Sequence, residues 1–337
     1  MPRARIRAGI IITEEVTLSE SIVFLDTATI GPGVTVRRPD FEHDWREHER
    51  TAADEVAERL AGATIAITNK APIREATLEA CPDLKLIAVA ATGYDCIDLE
   101  AAKARGVAVA NIRGYAVNTV PEHTFALILA LRRNIVEYRE QVLAGEWIRS
   151  EQFCFFNRPI PDLAGSTLGV IGAGALGSSV GRIGAAFGMD VLYHDDYAKE
   201  APPEGPLVPL ETLRDQADVV TCHCPLTEET RGLIGSDFLA GMKPSAIVVN
   251  TARGGIVDEE ALAEAIRSGT IAGAGIDVTS TEPAPADSTM MKLAELPNVI
   301  LTPHVAWAST GAMQTLVDQL IDNIEGFVAG ESRNRVV

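Results

Sequence analysis

The sequence predicts an α/β protein built on parallel sheets, and three observations carry that prediction. Short apolar runs alternate with helix-like segments over most of the chain, the pattern of strands joined by helical crossovers. One of these runs, Leu168 to Ile171, leads into a glycine-rich turn that opens a helix-compatible stretch. The 337 residues exceed one typical domain of roughly 100–200 residues, so two domains, or one large one, with room for a sizeable core are expected.

In chain order, Ser21 to Asp26, Ala63 to Thr68 and Leu84 to Ala90 read as three strands in the first hundred residues, because each is a short apolar run. Ala52 to Leu60 and Leu99 to Arg105 read as helices between or after them, while residues 1–20 have no place in the series and read as an extension. Thr119 to Gly145 favours one long helix, with Gly145 as its stop. A second α/β series follows, with strands at Ser166 to Ile171, Asp190 to Tyr193, Ala217 to Cys224, Ala246 to Asn250, Ile271 to Asp277 and Asn298 to Leu301. Asp258 to Arg267 is a helix with Gly269 just past its end. Pro202 to Pro209 and Thr281 to Pro285 are loops, and Thr310 to Ala329 is a final helix.

Composition narrows the function. Lys and Arg number 29 against 47 Asp and Glu, a net charge of −18, which opposes the phosphate neutralisation that a nucleic-acid partner requires. The longest apolar stretch of helical pattern, Phe125 to Leu131, is far below the roughly 20 residues of a membrane span. Arg3, Arg5 and Arg7 precede only Ile10 to Ile12 and then Glu14 and Glu15, too brief for a secretory signal, so a cytoplasmic protein without membrane contact is expected. Cys81, Cys96, Cys154, Cys222 and Cys224 lack zinc or redox spacing and read as small buried hydrophobes in a reducing compartment.

The turn Gly172-Ala-Gly-Ala-Leu-Gly177 is a GxGxxG sequence between a strand and a helix. Gly172 permits the tight turn, Gly174 lets the backbone approach a pyrophosphate, and Gly177 lets the helix pack on the strand. Asp195 lies 18 residues past the third glycine, near the spacing of about 20 for an acid that binds the adenosine ribose hydroxyls. The pair predicts a dinucleotide site, and the acid, which repels a 2′-phosphate, favours NAD over NADP. A loop carboxylate or helix cap is the structural alternative for Asp195, and Asp196 beside it could take either role.

Ligands of open parallel sheets bind beyond the carboxyl ends of the strands. Polar residues gather there: Cys222-His-Cys-Pro225, Asn250-Thr-Ala-Arg-Gly254, Gly275-Ile-Asp277 and Thr302-Pro-His304. Arg253, before a Gly-Gly turn, offers the fork that suits a carboxylate. His304 with Glu282 makes a proton donor supported by a carboxylate, which carbonyl reduction requires. Taken singly, a surface ion pair, a core histidine and a solvated loop acid are the structural alternatives. His43, His48, His123, His194 and His223 form no H-x-x-x-H pair, so no metal site is expected.

These segments, in this order, resemble the D-isomer-specific 2-hydroxyacid dehydrogenases over nearly the whole chain after residue 20. The resemblance rests on Leu168 to Gly177, His223 to Arg231, Val249 to Glu259, Ala274 to Val278 with Glu282-Pro283, and Thr302 to His304. It implies two Rossmann-like doubly wound parallel-sheet domains with the active site in the cleft between them. Residues 1–117 and 306–337 would form a discontinuous substrate domain, and 118–305 the NAD-binding domain. It implies Arg253, Glu282 and His304 as the catalytic residues, and Thr92, Gly93 and Tyr94, with Arg253 and Trp307, around the substrate. Gly172, Gly174, Ala175, Leu176, Gly177, Asp195, Cys224, Pro225, Thr230, Thr251, Ala252, Arg253, Asp277 and His304 match cofactor-contacting positions. A homodimer is implied as well.

Within the family, Tyr115 to Thr124, Gln152 to Phe156 and His304 to Ser309 look most like the glycerate dehydrogenase, or hydroxypyruvate reductase, branch. The expected substrate is then a short 2-keto acid, hydroxypyruvate or glyoxylate, reduced to D-glycerate or glycolate, with Trp307 and Phe153 to Phe156 excluding bulkier side chains. Asp95 and Cys96 depart from the Asn residues frequent in relatives, and Thr279 to Thr281 from a more acidic pattern. A non-enzymatic NAD-sensing scaffold or corepressor shares the fold and the triad, and is the alternative from another class. A dehydrogenase of the family with another substrate is the second alternative; formate dehydrogenases usually carry Gln at the position of Glu282.

Overall fold

Apolar, β-branched runs assemble into two separate all-parallel sheets in the computed structural model, which describes residues 19–337. The expected extension 1–20, with Arg3, Arg5, Arg7 and Ile10 to Ile12, lies outside the described residues except for Ser19 and Glu20.

The described residues up to Arg113, with Gln314–Val337, form one compact unit. Its elements run β1 (Glu20–Phe24), β2 (His43–Glu47), α1 (Val56–Arg59), β3 (Ile65–Thr68), α2 (Glu75–Ala80), β4 (Leu86–Val89), α3 (Leu99–Ala104) and β5 (Ala108–Ala110). The strand order is β2-β1-β3-β4-β5. The three expected strands are present as β1, β3 and β4, and every residue of β3 and β4 is buried. Two strands escaped the sequence reading. β2, His-Asp-Trp-Arg-Glu, is a half-exposed edge strand without an apolar run, and β5 is only three residues long. At the end of β1, the buried Asp26 carboxylate accepts from the amides of Asn69, Lys70 and Ala71, tying together the turns after β1 and β3.

Gly114–Met313 forms the second unit. It opens with α4 (Thr119–Arg132), α5 (Ile135–Leu143) and α6 (Glu146–Ser150). The single helix expected over 119–145 is broken at Asn134, which adopts a left-handed φ of 51°, a conformation Asn tolerates better than most residues; its Nδ2 donates to Pro159 O at 2.8 Å. Then follow β6 (Thr167–Ile171), α7 (Ala175–Ala186), β7 (Asp190–His194), α8 (Leu210–Gln216), β8 (Val219–Cys222), α9 (Ser236–Ala240), β9 (Ile247–Asn250), α10 (Glu259–Arg267), β10 (Gly273–Ile276), α11 (Thr289–Leu293) and β11 (Val299–Leu301). The six expected strands are all present; β7 extends one residue further, to His194, the other five begin one or two residues later, and β8 and β10 also stop short of the polar turns at Cys224 and Asp277.

The second sheet has the order β11-β10-β9-β8-β6-β7. The chain leaves β6 for β7 on one side and then fills the other side from β8 outward, so the order switches between β6 and β8. Side chains alternate across the sheet. Val219, Ile247 and Val249 join Phe125, Ile128 and Val180 on one face, while Val220, Cys222 and Val248 join Leu213, Phe238, Leu262 and Ile266 on the other. All strands are parallel, so their carboxyl ends share one edge.

The last helix, α12 (Thr310–Val328), starts in the second unit and from Gln314 belongs to the first. Its buried Leu316, Val317, Leu320, Ile321 and Ile324 form a continuous apolar stripe. Arg37 forks onto Asp322 and Glu325 at 2.6 Å each, and Asn323 Nδ2 donates to Asn111 O. Beyond α12, Val336 N donates to Val109 O at 2.7 Å, so the chain's final residues border β5.

The α7–β7 contact depends on the absence of a side chain at Gly181, where a Cβ would fall 1.8 Å from the hydroxyl oxygen of the fully buried Tyr193. Gly181→Ala is expected to lower unfolding free energy by about 1–2 kcal/mol, overpacking outweighing the gain in helix propensity. At Gly174 a Cβ meets nothing within 4 Å, so Gly174→Ala should stay within about 0.5 kcal/mol of wild type. Urea denaturation midpoints check both, and equal midpoints for the two variants would contradict the close contact.

Candidate active site

The glycine turn between β6 and α7 is shaped by close approaches. Gly172 has φ +99°, and a Cβ there would lie 2.7 Å from Cys224 N and from His223 C and O, at the end of β8. At Gly177 a Cβ would lie 1.8 Å from Gly172 O. Two of the three glycines are therefore sealed by backbone, while Gly174 faces open space. No side chain caps the first turn of α7, which begins at Ala175, Leu176 and Gly177. Open space at Gly174 and a twelve-residue helix starting there fit a dinucleotide pyrophosphate, which needs both close backbone approach and amide donors.

Asp195, just past β7, accepts from Ala173 N in the glycine turn at 2.8 Å and from Tyr197 N and Ala198 N at 2.9 and 3.1 Å. The carboxylate thereby holds the turn and fixes its own orientation, and Oδ2, with one donor, keeps a lone pair to spare. After β8, Thr230 Oγ1 donates to Pro225 O at 2.7 Å and closes the Pro225–Thr230 turn. Burial pushes the Cys96 and Cys224 thiols up to about 11, so both stay protonated; none of the five cysteines is in a disulfide. Burial also pushes His223 down to about 3, keeping its ring neutral.

Arg253 is presented by a turn that Asn250 brackets. The fully buried Asn250 side chain accepts from Ala252 N at 3.0 Å and donates to Arg253 O at 2.8 Å. Thr251 Oγ1 lies 3.0 Å from Thr124 Oγ1 on α4. Gly254 brings this turn against the chain after β10, where a Cβ would sit 2.1 Å from Thr279 C. The same segment carries Glu282, whose Oε1 accepts from Thr279 N at 3.1 Å.

His304 Nδ1 lies 2.7 Å from Glu282 Oε2. The imidazole is half-buried, its backbone in the left-handed region at φ 55°, an uncommon conformation for histidine that neighbours must enforce. They do so through Asp277, 1% exposed. Its Oδ1 accepts from Thr302 Oγ1 at 2.5 Å and Val305 N at 3.0 Å, its Oδ2 from Ala306 N at 2.8 Å, and its carbonyl from His304 N at 2.8 Å. The carboxylate of Asp277 is thus the hub of the turn that carries His304. His123 Nε2 reaches the same Thr302 hydroxyl at 3.0 Å.

Trp307 Nε1 donates to His304 O at 2.9 Å, and its ring meets Tyr115 edge-on with centroids 6.3 Å apart. Both border a small apolar cluster of Ala116, Val120, Ala306 and Leu176. Burial pushes the Tyr115 phenol up to about 12, with the Arg253 charge acting against it. Asn250, His123, Thr302 and Tyr115 were not singled out as site residues from sequence; the polar strand ends at 250 and 302 were the available signal for two of them.

Of the residues expected in the site, Gly172 to Gly177, Asp195, Cys224, Pro225, Thr230, Thr251 to Arg253, Asp277, Glu282, His304 and Trp307 all belong to the second unit, on or beside the turns at the carboxyl edge of its sheet. Thr92, Gly93 and Tyr94 belong to the first unit, in the turn after β4, where Thr92 Oγ1 donates to Ile112 O at 2.7 Å and Asn111 Nδ2 donates to Thr92 O at 2.8 Å. The expected wall of Phe153 to Phe156 is not built within the chain: Phe153 and Phe156 are 89% and 78% exposed, and Phe155 packs edge-on against Tyr138. Among the described residues no cluster of His, Cys, Asp and Glu could hold a metal ion.

Residues 125–306 match the family described as D-isomer specific 2-hydroxyacid dehydrogenase, NAD binding domain. A glycerate dehydrogenase of Methylorubrum extorquens is 53% identical over 320 residues, covering 95% of this chain and 99% of that protein. A hydroxypyruvate reductase of Blautia hydrogenotrophica is 34% identical, covering 94% and 99%. Among solved structures, an NADPH-dependent glyoxylate/hydroxypyruvate reductase of Sinorhizobium meliloti superposes with a TM-score of 0.81 at 28% identity, covering 94% of this chain and 98% of that one. The chain belongs to the D-isomer specific 2-hydroxyacid dehydrogenases.

Proposed function

We propose that this chain reduces hydroxypyruvate to D-glycerate, accepts glyoxylate as well, and prefers NADH. The observation that carries the reading is the 2.7 Å contact between His304 Nδ1 and Glu282 Oε2, in the same sheet-edge region as the turn that presents Arg253. The names of the Methylorubrum and Blautia relatives support the substrate.

A bound nicotinamide would supply the hydride for the reduction. With Nδ1–H donated to Glu282, the transferable proton of His304 sits on Nε2 and passes to the carbonyl oxygen. Arg253 holds the substrate carboxylate through its planar fork and so aligns the carbonyl. Trp307 limits the length of the substrate side chain. Ala175, Leu176 and Gly177 offer amides to the pyrophosphate beside Gly172 and Gly174. Asp195 takes the ribose hydroxyls, and Cys224, Pro225, Thr230, Thr251, Ala252 and Asp277 flank the remainder. The Sinorhizobium meliloti enzyme is NADPH-dependent, so the preference rests on the charge of Asp195 and not on membership.

We also assign a homodimer. Leu143, Ile148, Phe153 and Phe156 are 69–89% exposed within one segment of the second unit, an apolar density that single soluble chains rarely leave to water. Free thiols throughout support the cytoplasm, and no described helix is long and apolar enough to cross a membrane.

Three measurements test these assignments. In a 340 nm assay, hydroxypyruvate with NADH should give the highest kcat/KM among hydroxypyruvate, glyoxylate, pyruvate and branched 2-keto acids, and Asp195→Ala should weaken NADH use while relaxing the barrier to NADPH. A branched substrate turned over faster, or equal use of both cofactors by wild type, would contradict the assignment. Glu282→Gln leaves the His304 ring without its carboxylate partner, so kcat should fall roughly tenfold or more with KM changed less. An unchanged kcat would refute the pairing. Sedimentation velocity should give twice the chain mass, and Ile148→Glu with Phe153→Ser should give monomers; a wild-type monomer at tens of micromolar would rule out the dimer.

A further inference from the structure

Thr302 Oγ1 stands between two partners, Asp277 Oδ1 at 2.5 Å and His123 Nε2 at 3.0 Å. A hydroxyl carries one proton, and an ionised carboxylate can only accept. The proton of Thr302 therefore goes to Asp277, and His123 must donate: its ring carries hydrogen on Nε2, directed at the threonine oxygen. The same nitrogen lies 3.6 Å from Asp277 Oδ1. His123 does not act alone on α4. One turn earlier Thr119 Oγ1 donates to Ala306 O at 3.2 Å, and next to it Thr124 Oγ1 meets Thr251 Oγ1 at 3.0 Å. The first two turns of α4 thus grip both the turn that carries His304 and the one that leads to Arg253.

We propose that His123 is a positioning residue for His304. Its Nε2–H fixes the Thr302 hydroxyl on the Asp277 carboxylate, and that carboxylate also takes the amides of Val305 and Ala306, so the bond sets the turn in which His304 stands at φ 55°. Without the donor, Thr302 Oγ1 is released to rotate, the carboxylate loses its fixed third partner, and the imidazole loses alignment with the carbonyl oxygen it protonates. Proton and hydride transfer depend steeply on such alignment. The proposal rests on the dehydrogenase reading above.

The test is steady-state reduction of hydroxypyruvate or glyoxylate by NADH, using whichever substrate wild type turns over faster. His123→Leu and Thr302→Val remove the two ends of the bond, and His123→Gln and Thr302→Ser keep a donor and a hydroxyl. His123→Leu and Thr302→Val should each lower kcat roughly tenfold with both KM values within about twofold, and the double variant should be no slower than either single one. His123→Gln and Thr302→Ser should recover most of kcat. Should His123→Leu not fold, Thr302→Val with Thr302→Ser puts the same question. A role confined to docking α4 would lower the melting temperature and leave kcat per folded molecule unchanged, which overturns the proposal, as would losses that multiply independently in the double variant. A wild type that reduces no 2-keto acid overturns the dehydrogenase reading and this proposal with it, whereas an active wild type matched by His123→Leu overturns this proposal alone.

Discussion

A carboxylate sealed from water has to be surrounded by donors, and at Asp277 the donors belong to the turn that holds His304. Two amides, one hydroxyl and the amide of His304 itself converge on this one residue at the end of β10. Satisfying the buried charge and forcing His304 into the left-handed region are the same event. The 304 backbone conformation is costly alone, and it persists because undoing it would strand a negative charge in the interior. The Glu282 contact then needs only to orient a ring whose backbone is already set.

The same economy governs the rest of the carboxyl edge. Asp195 holds the glycine turn through Ala173 N, Asn250 brackets the turn before Arg253, and Thr230 closes the turn after Pro225. Each of these three turns is held by one polar side chain, Asp195 reaching across from the end of β7 to the turn after β6. With a net charge of −18, the overall charge opposes the approach of anionic ligands, which sets the proposed site's reliance on groups at short range.

How much of this was legible in the sequence follows from which forces act locally. The buried parallel strands read as apolar runs, and the strand-end motifs gave Gly172 to Gly177, Asp195, Arg253, Glu282 and His304 directly. β2 went unread because an edge strand need not be apolar, and β5 because three residues carry no period. The break at Asn134 was hidden because helix-favouring residues lie on both sides, and the left-handed residue between them is held from Pro159, far along the chain. His123 meets Thr302 across 179 positions, and Tyr115 meets Trp307 only in the folded unit; nothing local marks either. Phe153 and Phe156, which the resemblance led one to expect at the pocket, are exposed within the single chain.

The first unit closes only with residues from both ends of the described chain. Its sheet is complete by Ala110, yet the stripe on α12 that covers part of it, and the residues that border β5, arrive two hundred positions later. Synthesis runs at about 5–20 residues per second, and every residue of the second unit is made before Gln314–Val337 completes the first. A chain ending at residue 313 would contain the whole second unit and lack the buried Leu316, Val317, Leu320, Ile321 and Ile324 of the first, so the unit encoded earliest is the one a late truncation leaves open.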